Sequence, residues 1–133
     1  MKTEKLYEIA DKNGIKLEVF PLRANKAVSL LIGNNRYIAL APDVAVRSSE
    51  ERVCLAHELG HCQTNGFYEI DAPVLTRKKC EARAEKWAVQ NLIPKPELVR
   101  AVKYGCSDIQ SLADYFSVTE DFIKKAIKLY FKS

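Results

Sequence analysis

The sequence predicts an α+β fold in which one helix precedes a small sheet and every later element is helical. Three observations carry this prediction. A helical apolar stripe opens the chain, short β-prone runs fill the stretch between residues 15 and 40, and helical spacing broken by prolines and turn residues follows residue 48.

Leu6, Ile9 and Ala10 line one face of a helix over residues 2–12, and Asp11-Lys12-Asn13-Gly14 ends it with a glycine suited to a left-handed stop. Ile15–Phe20 alternates apolar and polar residues, as a half-buried strand does, and Pro21 closes it. Val28–Ile32 and Tyr37–Leu40 flank Gly33-Asn34-Asn35-Arg36 and read as a hairpin ended by Pro42-Asp43. Ser48 or Ser49 caps the next helix, whose acidic first turn holds Glu50 and Glu51 and which runs to about Gln63. Residues 65–77, with Gly66 and Pro73, read as a loop. A second strong helix spans Lys78 to Ile93, stopped by Pro94 and Pro96. Shorter helices follow over 96–104, 108–115 and 119–131.

The 133 residues are 47% hydrophobic and 29% charged, which excludes disordered and low-complexity classes. No apolar run approaches the roughly 20 residues of a bilayer span, and Met1-Lys2-Thr3-Glu4-Lys5 lacks a signal-peptide core, so a soluble cytoplasmic protein without a membrane partner is expected. The net charge of +4 is spread evenly: residues 1–94 carry 14 basic and 12 acidic side chains, residues 95–133 carry 7 and 5. Neither part is a basic tail. Cys54, Cys62, Cys80 and Cys106 form no C-x-x-C pair and are expected as thiols, mostly facing the core, with a zinc site built on Cys62 or Cys80 as the minor alternative.

The chain's only two histidines stand in His57-Glu58-Leu59-Gly60-His61. On a helix the imidazoles lie about 40° apart around the axis and can reach one ion, while Glu58 sits about 60° beyond His61, placed to contact a water on that ion. Random placement would produce this pattern roughly once in 800 chains of this composition. Zinc suits two imidazoles, a third protein ligand and one open position. With no other histidine, the third-ligand candidates are Glu69, Asp71, Glu81 and Glu85. The first two lie in the expected loop. On the following helix Glu81 sits about 60° from the centre of the apolar side and Glu85 about 100°, which makes Glu81 the better inward carboxylate and Glu85 the reserve.

The motif, together with Glu81-Ala82-Arg83-Ala84-Glu85-Lys86-Trp87-Ala88 and Leu92-Ile93-Pro94, resembles the ImmA/IrrE metallo-endopeptidases of temperate phages and integrative elements, from about residue 28 onward. Glu81, Ala84, Trp87-Ala88 and Pro94 fill the family's pattern; Asn91 stands where an apolar residue is usual. The resemblance implies His57, His61 and Glu81 as zinc ligands and Glu58 as catalytic base. It implies a zincin-like core over residues 1–94, with a short antiparallel or mixed sheet and an active-site helix, followed by a helical subdomain over 95–133 packed on it. The chemistry implied is hydrolysis of a peptide bond in a protein substrate, a repressor encoded nearby, so that cleavage lifts repression. Tyr68, Tyr37 or an arginine is the candidate to steady the oxyanion. By analogy with zincins, Tyr37–Leu40 is expected to be the sheet edge to which substrate adds a strand.

Ser111–Ile123 reads as a helix-turn-helix with Ser117 in place of the usual turn glycine. Glu120 and Asp121 at the start of its second helix would repel phosphates, so packing or partner docking is favoured over DNA reading, with Lys124, Lys125 and Lys128 on a solvated face. Trp87 and Cys62 are expected in packing roles. The rival readings are a regulatory DNA- or protein-binding module with a structural metal, and the peptidase half of a toxin–antitoxin pair.

Overall fold

A computed structural model describes residues 1–45, 48–69 and 71–131. Its elements are α1 (Thr3–Lys12), β1 (Lys16–Val19), β2 (Ala27–Ile32), β3 (Asn35–Leu40), α2 (Ser49–Gln63), α3 (Val74–Leu92), α4 (Lys95–Lys103), α5 (Ile109–Phe116) and α6 (Glu120–Phe131). The class is α+β, with six helices and one three-stranded mixed sheet among the described residues.

α1 buries Leu6 and Ala10. Gly14 turns the chain at φ 69°, and the Ile15 amide closes on the Ala10 carbonyl at 2.9 Å. The same closure recurs after α2, α4 and α5, with Asn65, Gly105 and Ser117 at positive φ and Gly66, Cys106 and Val118 as donors.

β2 and β3 pair antiparallel around Gly33-Asn34, with Gly33 at φ 62°. β1 pairs parallel with β3, setting Leu17 opposite Ile38, so the strand order is β1-β3-β2. This corrects one expectation: the strand containing Tyr37–Leu40 is central, not an edge. Its inward residues Ile38 and Leu40 are buried, and burying them draws a partner onto each side of the strand. The edge beside the motif helix is β2.

α2 is the central element. Ser48 caps it, its hydroxyl accepting the Glu51 amide at 3.2 Å. Leu55, Ala56, Leu59 and Cys62 enter a core that runs from Leu6 to Ala126. Arg52, only 8% exposed, donates to the carbonyls of Met1, Phe116 and Ser117, joining the chain start, α2 and the end of α5. At Ser117 the left-handed backbone, a costly conformation for a residue with a Cβ, is held by one of these bonds. Arg36 on β3 reaches the terminal carbonyls of two helices, donating to Cys62 and Asn13.

α3 begins at Val74, a turn earlier than the periodicity suggests. Pro73 stands at the N-cap with φ −53°, while Val74 and Leu75 are exposed, so the first turn carries no inward stripe to read. Cys80, Ala84, Ala88, Val89 and Leu92 are its buried side, and Trp87 packs at the margin of the core. Asn91 fits its unusual place by donating to the Trp87 carbonyl at 2.8 Å. All four cysteines are free thiols; Cys62 and Cys80 are buried and the other two partly so. No described helix is long and apolar enough to cross a membrane.

α2 and α3 touch at Gly60 and Ala84. A Cβ on Gly60 would lie 2.4 Å from the Ala84 carbonyl oxygen and 2.9 Å from its Cα, both backbone atoms that cannot swing aside. Gly60→Val should therefore destabilise the chain by about 1–3 kcal/mol as the helices are forced apart, measured by urea unfolding. An unchanged midpoint would mean that the two helices can shift without cost.

Candidate metal centre

Burial of Leu55, Ala56, Leu59 and Cys62 fixes the rotation of α2, and the helices pass closely at Gly60, with Glu81 of α3 beside His57 and His61. Glu81 Oε1 lies 2.8 Å from His57 Nε2 and Oε2 lies 3.0 Å from His61 Nε2. One ligand atom from each of the three residues falls within 4.8 Å of the others, a set able to hold a metal ion. The imidazoles meet edge to face, ring centres 4.9 Å apart.

The far side of His61 sharpens this geometry. Its Nδ1 lies 2.7 Å from the Gly66 carbonyl oxygen, which can only accept, so Nδ1 carries the hydrogen. In the neutral ring that leaves the Nε2 lone pair pointing at a carboxylate oxygen. Two acceptors facing each other at 3.0 Å require a proton or a cation between them. The donor set, two imidazoles and a carboxylate with one ring already oriented from behind, fits zinc. The carbonyl doing the orienting is supplied by the turn that ends α2, where Asn65 is left-handed and the Gly66 amide bonds the His61 carbonyl at 2.8 Å. Asn-Gly after a helical run is the sequence signal for that turn; reading the stretch simply as loop misses its role.

Glu58 lies beside the histidines, buried, and is not among the converging donors. Burial pushes its carboxyl above the usual carboxylate range, partly offset by the His57 charge, a hydrogen bond from Ser29 and His61, while Glu81 adds to the rise. Ser29 sits on β2 and has no motif of its own. Glu81 goes the other way: burial raises it, but hydrogen bonds from Tyr68 and His57 and the charges of both imidazoles together hold it below the usual range. Tyr68 donates to Glu81 Oε2 at 2.7 Å, and that bond, with burial, pushes its hydroxyl up to about 12.

The other candidates fall elsewhere. Glu85 pairs with Lys125 on α6 at 3.2 Å. Glu69 lines a groove near Glu58 without joining the ligand set, and exposed Asp71 stays outside that set as well. Tyr37 faces Lys16 on the other side of the sheet from buried Ile38. Of the arginines, Arg77 stands beside Tyr68, while Arg36 and Arg52 serve helix ends. Burial pushes the Cys62 thiol up to about 11, which keeps it protonated, and no cysteine joins the ligand set among the described residues.

Two grooves meet at this centre. One, of about 720 Å³, runs along β2 from Ala27 to Leu31 and ends on Glu58, His61 and Glu81. The other, of about 870 Å³, leaves from His57, Tyr68 and Glu81 between α3 and α6.

Ionising a buried carboxylate whose folded-state value is raised costs stability once pH climbs above the ordinary carboxylate value of about 4.3, and the cost persists above the raised value. In chelator-treated protein, Glu58→Gln should thus melt at a higher temperature than the parent at pH 7, the gap closing as pH falls toward about 4. Equal melting at pH 7 would mean that Glu58 carries no such cost.

Residues 10–128 match the family model Peptidase_M78, described as the IrrE N-terminal-like domain. No curated protein matches the chain.

Proposed function

The chain belongs to the peptidase family of the IrrE N-terminal-like domain, and from that premise we propose that it is a zinc-dependent, site-specific endopeptidase. The observation that carries this reading is the convergence of His57, His61 and Glu81 with a buried, non-ligating carboxylate, Glu58, beside them. A metal held by structure alone is normally closed by four protein ligands; three ligands plus a base suit catalysis.

In this reading His57, His61 and Glu81 hold the ion, and Glu58 is the general base. Zinc, when bound, polarises the scissile carbonyl and lowers the pKa of a water toward about 7. With the ion held there, Glu58 would be the group that accepts the water's proton. Its raised affinity for protons, set by burial, suits a group that must then hand the proton to the departing amine. The Ser29 hydrogen bond fixes the direction of its carboxylate. Tyr68, whose hydroxyl donates to Glu81 at 2.7 Å, would steady the developing oxyanion by turning its one hydrogen away from that carboxylate. An extended substrate segment adds to the open edge of β2, along the groove that ends at Glu58.

The finer parts of the proposal are a zincin-like core over residues 1–94, a helix-turn-helix-like C-terminal part over 95–133 that serves packing, and cytoplasmic action on a transcriptional repressor of a phage or mobile element. The family resemblance supports the repressor.

Glu81→Ala should weaken zinc binding more than about 100-fold, beyond the 10–100-fold that loss of an outer partner costs, whereas Glu85→Ala should leave it unchanged; calorimetric titration reads both. The reverse result would move the third ligand to Glu85. Glu58→Gln should keep one zinc per chain, by elemental analysis, yet cleave a co-expressed neighbouring repressor at least about 100-fold more slowly. Undiminished cleavage would remove Glu58 as the base.

A further inference from the structure

The second groove has a chemistry of its own. Arg77 and Lys78 from α3 and Lys125 and Lys128 from α6 line it, together with His57, Tyr68 and Glu81. Four cations from segments nearly 50 residues apart in sequence are gathered against two carboxylates, Glu81 and Glu85. Glu81 is engaged by both imidazoles and Tyr68, and Glu85 takes Lys125. Among the described residues no carboxylate pairs with Arg77, and its Nε, shielded from solvent, has no hydrogen-bond partner. The excess positive charge is therefore not consumed within the fold.

We propose that these four side chains form a shelf selecting an acidic stretch of the protein substrate, held to one side of the bond that is cut. The proposal rests on the peptidase reading and names the substrate class that reading leaves open. Continuity supports it. The two grooves share Tyr68 and Glu81, so a peptide lying along β2 with its scissile carbonyl at the centre continues onto the shelf. A cleft whose four cations outnumber its two carboxylates concentrates negative charge, and the arginine fork matches a carboxylate. A peptide is favoured over nucleic acid because the shelf ends on Glu81 and Glu85, because α6 opens with Glu120 and Asp121, and because the net charge is only +4.

The test uses the full chain carrying Glu58→Gln, so that bound peptide is not cut, loaded with zinc. Two fluorescein-labelled nonapeptides, alike except for three glutamates in one and three glutamines in the other, are titrated by anisotropy. The acidic peptide should bind about tenfold more tightly at low salt, and Lys125→Glu with Lys128→Glu, at exposed positions, should reduce the preference to about twofold or less, as should Arg77→Gln. Equal binding of the two peptides, or a preference untouched by these changes, overturns the shelf. Displacement of the peptide by a short DNA duplex at lower concentration, lost in the same variants, overturns it in favour of nucleic acid. The unmodified chain is then given zinc and a mixed peptide library, and the cut bonds are sequenced. Cutting with no acidic bias leaves the peptidase reading standing and removes the shelf. Acidic binding preference with no cutting at all leaves the shelf standing and removes the peptidase reading.

Discussion

Everything at the centre depends on how closely two helices approach. α2 carries both histidines and α3 carries Glu81, and they meet where Gly60 lies against the backbone of Ala84. A side chain at Gly60 would meet that backbone and force α3 away, opening the space between Glu81 and the imidazoles. Gly60 therefore sets how near α3 comes to the ligand cage, though it lies outside the ligand set. The cage is oriented from behind as well: the carbonyl that fixes His61 comes from the turn ending its own helix. Helix packing sets the distance, and helix termination sets the direction.

The electrostatic character of the site follows from what lies on each flank. Toward β2, burial favours the protonated form of a carboxylate, against the pull of a serine hydroxyl and the two imidazoles. Toward α6, positive charge is left over. Glu81 between them is stabilised as an anion by a phenol and two imidazoles. Three acidic or basic environments thus coexist around the same few atoms, separated by burial and by hydrogen-bond supply. A modest overall charge of +4 conceals this contrast.

Much of this was legible from residue order. Helical spacing, the cap at Ser48, the stop at Gly14 and the turn at Gly33 each report a local constraint, and the elements they mark lie where that constraint acts. The histidine pair and the inward phase of Glu81 are likewise local facts, read from the geometry of single helices. What escaped was set by contacts between distant segments. That β3 is central depends on β1, whose parallel pairing leaves no mark on either strand. Ser29 and Arg77 gain their roles only from neighbours brought in by the fold, and the first turn of α3, exposed on its apolar residues, offers no periodicity to follow.

Arg52 carries a consequence for how the motif helix is held. Its carbonyl partners lie 51, 64 and 65 residues away, at both margins of the described core. A guanidinium is costly to remove from water without such partners. Two of the three carbonyls that receive this guanidinium belong to Phe116 and Ser117, so that side of the histidine-bearing helix is completed only by the later helices. The helix that presents both imidazoles on one face is thus anchored on another by a segment more than sixty residues further along the chain.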